Sequence, residues 1–466
     1  VFAGCNACPG LTSIICLAMR ARLLTFAASP LVNGNQDSDM VNMKNCDGVS
    51  IFDSTFKPER WKTAVDANKL LIDEAEKAGH KLYIETIGDD VDAFQSYQNA
   101  LMLRYNQGNM EILFPRTYDD AGYFDRQANP RSMGGAGAIG VTQSLVDAFF
   151  MNNGLVPITG YTNDGATPVI NSESGYSETG YSTVDESYKT TWMYATKGGT
   201  EQETEHVIVP KNTYKMYCGR EPRFYATIMY DGMQWIQRPS DYATIEPTGK
   251  IQTGYYQLDP SVTDESKFYS GMDTRAGGGE SWNATYTGYY LKKYINPADG
   301  DHRNKINAIF PFIRLSEIYF CYIEACIELG ELDEAKKYLN EYRANVNLPA
   351  VTTNDQAELR KIYQNERRLE FCYEEIRYWD LRRWMIAPDA PGLNSLKGIR
   401  VTAWLKPGIG AQTKYNADPT KWDMKYQVID LAEEARQFVD KCYYLPIMRN
   451  EMNSNKNLIQ NPGYSD

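Results

Sequence analysis

One segment near the C-terminal third constrains the fold of this chain more than any other feature. Arg314 to Pro349 reads RLSEIYFCYIEACIELGELDEAKKYLNEYRANVNLP. Apolar residues recur at helical spacing in both halves, Gly330 stands where a first helix should end, and a proline closes the segment. The pattern predicts two antiparallel helices packed against each other.

This helix pair resembles a tetratricopeptide unit, in which large residues of one helix pack against small residues of the next. A second pair is predicted over Asn354 to Ile386, and the two early helices described below are candidates for another. The positions at about the expected spacing are Tyr319, Tyr322, Gly330, Ala335, Leu339 and Pro349.

The chain has 466 residues, more than a single hydrophobic core of roughly 250–300 residues accommodates. Helical patterns dominate both ends, whereas Gly, Pro, Asn, Tyr and Thr become frequent in the middle. We expect a mainly α fold: a tetratricopeptide-like helical repeat scaffold with an irregular, loop-rich middle segment containing short strands. The expected parts are an N-terminal helical part (1–118), a variable middle (119–310), and C-terminal helices with a tail (311–466).

Three helices are predicted before the middle segment. The first spans Ile14 to Ala28, the second begins near Pro58 and closes at Gly79, and the third lies around Val91 to Asn106. The apolar run from 11 to 32 is long enough for a membrane span. Inserting its two central arginines into a membrane, however, would cost roughly 5–7 kcal/mol, whereas inserting its apolar residues would gain only about 2–4 kcal/mol. We therefore expect a buried helix of a soluble fold.

Charge and composition disfavour several functional classes. The net charge is −12 and the isoelectric point is near 5.0, which opposes binding to a phosphate backbone, so no nucleic-acid partner is expected. The three histidines (His80, His206 and His302) are far apart. Cys5 and Cys8 form a single CxxC without a second pair, and no EF-hand loop occurs. We predict no metal site, no cofactor and no catalytic residue.

A glycine-rich segment, Gly135 to Gly140, matches the pattern GxGxxG of dinucleotide sites. The residues before it are polar and include Pro130, so the strand that such a site requires is missing. We interpret the segment as a flexible turn.

Charged residues crowd the segment NERRLEFCYEEIRYWDLRRW, from Asn365 to Trp384. Its arginines and carboxylates balance, and the pattern predicts an interhelix network that stabilises the fold, with Trp379 and Trp384 covered by arginine side chains. Adjacent acidic pairs elsewhere, such as Asp89-Asp90, diverge on any regular element and are interpreted as solvated faces.

Tyrosine is unusually abundant, with 34 residues against 16 Phe and 8 Trp. Its ring offers an apolar face and a hydrogen-bonding tip, and the C–H face of a sugar stacks on such rings while polar neighbours contact the hydroxyls. The middle segment carries most of the candidates, notably within GGGESWNATYTGYY. The predicted ligand-binding residues are Trp282, Tyr286, Trp192, Tyr123 and Tyr289.

Several segments together resemble one family, the SusD/RagB-like lipoproteins that capture nutrients, mostly glycans, at the outer surface of Bacteroidetes cells. The resemblance runs from about Leu11 to Tyr464. The matching segments, in order, are AMRARLLTFAASPLVN, VTQSLVDAFFMNNG, GREPRFYATIMYDGMQW, RLSEIYFCYIEACIELG, NERRLEFCYEEIRYWDLRRW, YYLPIM and QNPGY.

The resemblance implies a non-catalytic protein that binds a glycan at the extracellular face of the outer membrane and delivers it to a SusC-like TonB-dependent transporter. It also implies a lipid anchor, which is not visible in this chain, and Cys5 is not assigned as its site. Two alternatives remain open. A tetratricopeptide-type scaffold would bind a peptide or protein partner on its helices, and a glycan-cleaving enzyme would depend on a single Asp or Glu.

Overall fold

A computed structural model describes most of the chain and defines its architecture. The described residues are 12–45, 47–116, 121–162, 167–190, 204–234, 249–277, 283–295, 308–416, 418–431 and 436–465.

Twelve α-helices lie in the described ranges, and the long ones fall at the two ends of the chain, so the fold is mainly α as predicted. The helices are α1 (Ser13–Ala28), α2 (Ser38–Val41), α3 (Pro58–Lys77), α4 (Ala93–Asn99), α5 (Ala121–Ala128), α6 (Gln143–Ala148), α7 (Pro222–Thr227), α8 (Leu315–Leu329), α9 (Leu332–Asn345), α10 (Gln356–Glu370), α11 (Arg377–Arg383) and α12 (Arg449–Ser454).

The strands of the middle segment are two to six residues long, which confirms the predicted short strands. All the strands are β1 (Thr86–Ile87), β2 (Asp90–Val91), β3 (Ile112–Arg116), β4 (Ile158–Tyr161), β5 (Pro168–Ile170), β6 (Glu186–Thr190), β7 (Thr204–Val209), β8 (Ile228–Met229), β9 (Tyr255–Tyr256), β10 (Tyr269–Ser270), β11 (Tyr290–Leu291), β12 (Phe310–Arg314), β13 (Lys397–Leu405) and β14 (Trp422–Asp430).

The helix pair that dominated the sequence forms as predicted, with α8 packed against α9. Every residue of α8 from 315 to 327 is buried, including Glu317 and Glu324, whose carboxylates pair with Arg22 and Arg383. Gly330 ends α8 in the left-handed conformation (φ +78°), and its N–H donates to the carbonyls of Cys326 and Ile327. Ala335 and Leu339 of α9 are fully buried.

The early helices join the same scaffold, because α3 packs against both α1 and α8. Pro58 opens α3, and Gly79 (φ +86°) follows its end, as the sequence predicted. Helix α1 is buried along one face, which contains Ile14, Ala18 and Ala21, while Met19 and Leu23 on the other side are exposed. No helix in the described ranges is long and apolar enough to cross a membrane.

The third predicted helix is shorter than expected. Asp92 caps α4 by accepting from the N–H of Gln95, but α4 ends at Asn99, and a 3₁₀ turn over Tyr105–Gln107 follows. Asn109 accounts for the early end, because its side-chain amide donates to the carbonyls of Ala100 and Leu103. Such side-chain bonds to the backbone compete with helix propagation.

Two pairings connect the middle segment to the rest of the fold. β3 pairs with β12 antiparallel, which brings together the residues that flank the middle segment. A four-stranded sheet has the order β10-β9-β13-β14, so the short β9 lies beside β13 of the C-terminal part in parallel. The nine-residue strands β13 and β14 were not predicted. One large core cluster contains residues of all three expected parts.

The predicted Arg–carboxylate network is present, but most of its partners lie outside the segment from 365 to 384. Within it, Arg367 and Arg383 both donate to Asp380, at 2.8 Å each, and the guanidinium of Arg383 lies 4.7 Å from the ring of Trp384. Glu366 instead pairs with Arg223 and Arg343. Trp379 remains exposed and packs against the edge of Tyr378.

The glycine-rich segment lacks a preceding strand, so the fold does not provide a dinucleotide site there. A 3₁₀ turn over Arg131–Met133 comes before it. The segment has no regular secondary structure, as expected of a turn, and its glycines permit close packing. A Cβ on Gly135 would lie 2.0 Å from the carbonyl oxygen of Asn129, and one on Gly140 would lie 2.7 Å from Oγ1 of Thr285.

A buried carboxyl group in the middle segment predicts a measurable pH dependence. Asp231 accepts from Tyr256 Oη at 2.7 Å and from the N–H of Thr253 at 2.9 Å, while its Oδ2 has no partner. Burial raises the pKa of Asp231 to about 6, against about 3.9 for an unfolded chain. Between about pH 4 and 6, the folded protein therefore still holds a proton on Asp231 that the unfolded chain has already released. The contribution of this residue to the free energy of unfolding falls as pH rises through that window.

We expect Asp231→Asn to become more stable relative to wild type as pH rises from 4 to 6. The difference in the free energy of unfolding between the two proteins should change by on the order of 2 kcal/mol over this range. Thermal unfolding of both proteins at pH 4.5, 6 and 7.5 measures this. A difference in unfolding temperature that stays constant over this range would contradict the assigned titration.

Candidate functional site

A cavity of about 150 Å³ lies where the middle segment meets the β13–β14 hairpin. Five chain segments supply its walls: β9 and the residues before it, the turn after β10, the loop that leads into β11, and the two long strands β13 and β14. The lining residues are Thr253, Tyr255, Asp273, Thr274, Arg275, Thr285, Tyr286, Gly288, Ile399, Arg400 and Ile429.

Two tyrosine rings of this cavity each lie next to a guanidinium group. Cζ of Arg275 is 3.8 Å from the ring centroid of Tyr286, and Cζ of Arg400 is 5.1 Å from that of Tyr255. Arg400 also pairs with Glu265 at 3.4 Å. Tyr286 is 40% exposed. The cavity thus combines exposed ring surface with N–H donors, which suits a ligand that has an apolar face and hydroxyl groups.

The turn that carries Arg275 is held in place by a buried carboxylate. Asp273 accepts hydrogen bonds from the N–H and Oγ of Ser132, at 2.8 Å each, and from the N–H of Gln252 at 2.9 Å. The hydroxyl of Tyr290 donates to the Asp273 carbonyl at 2.7 Å. These bonds engage both carboxylate oxygens within the fold, so the role of Asp273 is to position the turn.

The loop that carries Tyr286 lies directly on β13. Gly288 has a φ of +80°, and a Cβ there would lie 2.3 Å from the carbonyl oxygen of Ile399. The N–H of Ile399 donates to the carbonyl of Thr287 at 2.8 Å. Only glycine permits both the backbone conformation and the close approach, so this residue sets the position of Tyr286 against the sheet.

The structure places the five predicted ligand residues in different situations. Tyr286 lines the cavity. Tyr289 is fully buried and its hydroxyl donates to Gln143 at 2.9 Å, so it has no surface on which a sugar can stack, and its predicted role is not retained. Trp192 and Trp282 lie outside the described residues. Tyr123 belongs to α5, but its side chain is also outside the described part.

Sequence reasoning missed three residues of the cavity: Tyr255, Arg275 and Arg400. Arg275 stands only eleven positions before Tyr286, and charged residues close to the aromatic stretch were a usable signal. No local pattern connects Arg400 to the others, because contacts between distant segments bring them together: β13 pairs with β9 in parallel, and the N–H of Ile399 donates to the carbonyl of Thr287.

The described residues contain no group of three or more His, Cys, Asp or Glu side chains arranged to hold a metal ion. Cys5 and Cys8, the CxxC pair, lie outside the described ranges.

Fold and site together define a class of protein: a mainly α-helical scaffold in which an irregular middle segment supplies a ring-lined cavity. The chain belongs to the SusD family, since the model of that family matches residues 95–464. A search of curated proteins finds no match.

Solved structures support the same fold. The protein BT4246 has a TM-score of 0.64 at 21% identity, with 97% of this chain and 71% of that chain covered. A SusD-like protein of Bacteroides fragilis, BF3747, has a TM-score of 0.57 at 22% identity, covering 98% and 67%. A SusD-like carbohydrate-binding protein of Bacteroides fragilis, BF0978, has a TM-score of 0.51 at 20% identity, covering 96% and 64%.

Proposed function

We propose that this protein binds glycans at the cell surface without chemically changing them. Membership of the SusD family supports this, as does the description of BF0978, a protein of the same fold, as carbohydrate binding. The observation that carries the proposal is the exposed ring of Tyr286 beside the Arg275 guanidinium in one cavity.

The size of the cavity indicates that it binds one part of a longer ligand. Its volume of about 150 Å³ is smaller than the roughly 300–1,000 Å³ of sites that enclose a whole small molecule. An oligo- or polysaccharide fits this description, because one sugar unit contacts the ring while the rest of the chain extends over the surface. Trp282, Trp192 and Tyr123 remain proposed as additional contacts.

The finer features of the proposal follow from the family. We infer a tetratricopeptide-like scaffold built from α1, α3 and α8 to α11, with residues 119–310 as the variable ligand-binding part between 1–118 and 311–466. We further propose that the protein acts at the extracellular face of the outer membrane, attached by a lipid anchor. There it would deliver glycans to a SusC-like TonB-dependent transporter.

We expect Tyr286→Ala to weaken polysaccharide binding about tenfold, since losing the ring face costs on the order of 1–2 kcal/mol. Tyr286→Phe should bind nearly as well as wild type, because the stacking face remains. Native affinity electrophoresis through gels containing plant, host and microbial polysaccharides identifies the ligand class first. The same gels then rank the variants by retardation.

Tyr105→Ala is a matched control, since this tyrosine is 52% exposed and is not part of the cavity. Retardation equal to wild type in Tyr286→Ala would remove this cavity as the glycan site. If no polysaccharide retards the wild-type protein, the alternative of a peptide or protein partner on the helices becomes the better hypothesis. Release of reducing ends from any polysaccharide would contradict a purely binding role.

A further inference from the structure

A second and larger cavity, of about 440 Å³, lies away from Tyr286 and is lined mainly by apolar side chains. Its walls come from α5, the glycine-rich segment, β12, and the turn between α10 and α11. The lining residues that matter here are Phe124, Ala138, Tyr294, Phe310, Tyr373 and Glu375. This volume falls within the range of sites that enclose a small molecule.

Three aromatic rings form one wall. Phe124 meets Tyr294 and Phe310 edge to face, with centroids 5.5 and 5.3 Å apart, and Tyr294 stacks on Phe310 at 4.8 Å. These mutual contacts hold the rings in fixed orientations. A further ring entering the cavity gains edge or face contacts with these rings beyond its apolar burial, which an aliphatic group of equal size does not.

Backbone strain is concentrated at the same place. In the described part of the chain, six residues other than glycine have a positive φ, and three of them line this cavity: Tyr294 (+73°), Tyr373 (+60°) and Glu375 (+63°). Each such residue has a strained backbone, which persists only where the surrounding structure enforces it. Strain of this kind is typical of binding sites, and here it accompanies an independently observed cavity.

The charges around the cavity indicate the polarity of the ligand. Glu374 lies in the wall, but its carboxylate is engaged from inside by Lys293 and Arg314, at 2.8 Å each. Burial opposes ionisation of Glu374, yet the two cations hold its pKa below the usual value. At the rim, Arg116 pairs with the exposed Glu375 at 3.1 Å. The interior of the cavity therefore suits an uncharged ligand. At the rim, Arg116 can donate and Glu375 can accept a hydrogen bond.

We propose that this cavity is a second ligand site that takes an uncharged aryl group with a hydrogen-bonding end. The planar body lies against Phe124, Tyr294 and Phe310, and the polar end reaches the Arg116–Glu375 pair. This site is separate from the Tyr286 cavity and does not depend on the glycan proposal.

The test uses N-phenyl-1-naphthylamine, an uncharged aryl probe that fluoresces in apolar surroundings. Wild-type protein should enhance its fluorescence saturably at one probe per chain. Ala138→Trp places a ring into the cavity from an exposed lining position, and it should weaken binding at least about tenfold. Ala411→Trp adds the same ring at an exposed position outside the cavity and should leave binding unchanged.

Competition tests the chemical class. We expect 4-methylphenol to displace the probe at lower concentration than 4-methylcyclohexanol, which has the same heavy atoms but is not planar. Equal competition by the two would overturn the aryl assignment. Absence of saturable binding in wild type, or unchanged binding in Ala138→Trp, would overturn the site itself. Circular dichroism melting of each variant verifies folding, and Tyr286→Ala should bind the probe like wild type.

Discussion

Replacing Arg314 by methionine is expected to destabilise the protein by about 3–5 kcal/mol. Its guanidinium contacts Glu111 at 2.8 Å, Glu370 at 2.7 Å and Glu374 at 2.8 Å, and all four side chains are almost completely buried. Methionine fills a similar space but removes the cation beside Glu111, leaves Glu374 with Lys293 alone, and leaves Glu370 with Arg223 at 3.6 Å. The large cost comes from this uncompensated charge and much less from lost packing.

The same variant should show a distinctive pH dependence. Without Arg314, the buried cluster holds more carboxylate charge than its remaining cations balance, so the folded variant takes up protons more readily than the unfolded chain as pH falls. The stability difference between variant and wild type should therefore shrink as pH falls toward 4. Urea unfolding at pH 7.5, 6 and 4.5 measures it.

Arg360→Met provides the matched control for this experiment. Arg360 forms a bidentate ion pair with Glu328, with N–O distances of 2.5 and 2.9 Å, but both side chains are partly exposed. An exposed pair of this kind contributes only about 0–1 kcal/mol. If both variants lose the same stability, burial of the Arg314 cluster is not the source of its effect.

Gly135→Ala is expected to destabilise the protein by on the order of 3 kcal/mol or more, or to prevent folding. The added Cβ would lie 2.0 Å from the carbonyl oxygen and 2.5 Å from the carbonyl carbon of Asn129. Those atoms belong to the backbone, and Asn129 is itself fully buried and bonded to Asp125. Neither side of the contact can move away at low cost.

Gly410→Ala is the corresponding control, since a Cβ there meets nothing within 4 Å and its φ is not positive. We expect this change to be neutral or slightly stabilising, by a few tenths of a kcal/mol up to about 1 kcal/mol. Thermal unfolding of both variants gives the comparison. If the Gly135→Ala and Gly410→Ala proteins unfold at the same temperature, the segment from Gly135 to Gly140 rearranges freely, as the flexible-turn interpretation predicts.

The helices were the most predictable part of the fold. Apolar spacing together with Pro58, Gly79 and Gly330 located α3 and α8 to within a few residues, because helix hydrogen bonds and caps are local. The prediction for α4 was too long, since Asn109, ten residues beyond its end, competes for its last carbonyls. Contacts of this kind are not visible in a hydrophobic pattern.

The candidate sites were less predictable, because each depends on contacts across long sequence distances. Tyr286 was identified from ring chemistry alone, whereas Arg400 comes close to it only because β13 contacts both β9 and the loop that carries Tyr286. Tyr289 carries the same ring three positions later and is buried. Ring type and spacing do not reveal which side of a short, irregular strand faces the core.

Composition and local pattern by themselves determined the mainly α class, the helical ends and the loop-rich middle, because secondary structure depends on interactions between near neighbours. The charged segment from 365 to 384 likewise predicted a network of Arg–carboxylate ion pairs. Only the tertiary structure decided that Arg223, Arg314 and Arg343, which lie outside this segment, pair with its carboxylates Glu366 and Glu370. It also decided that glycines at 135 and 288 serve close backbone packing, since burial, partner choice and cavity shape arise only when distant segments meet.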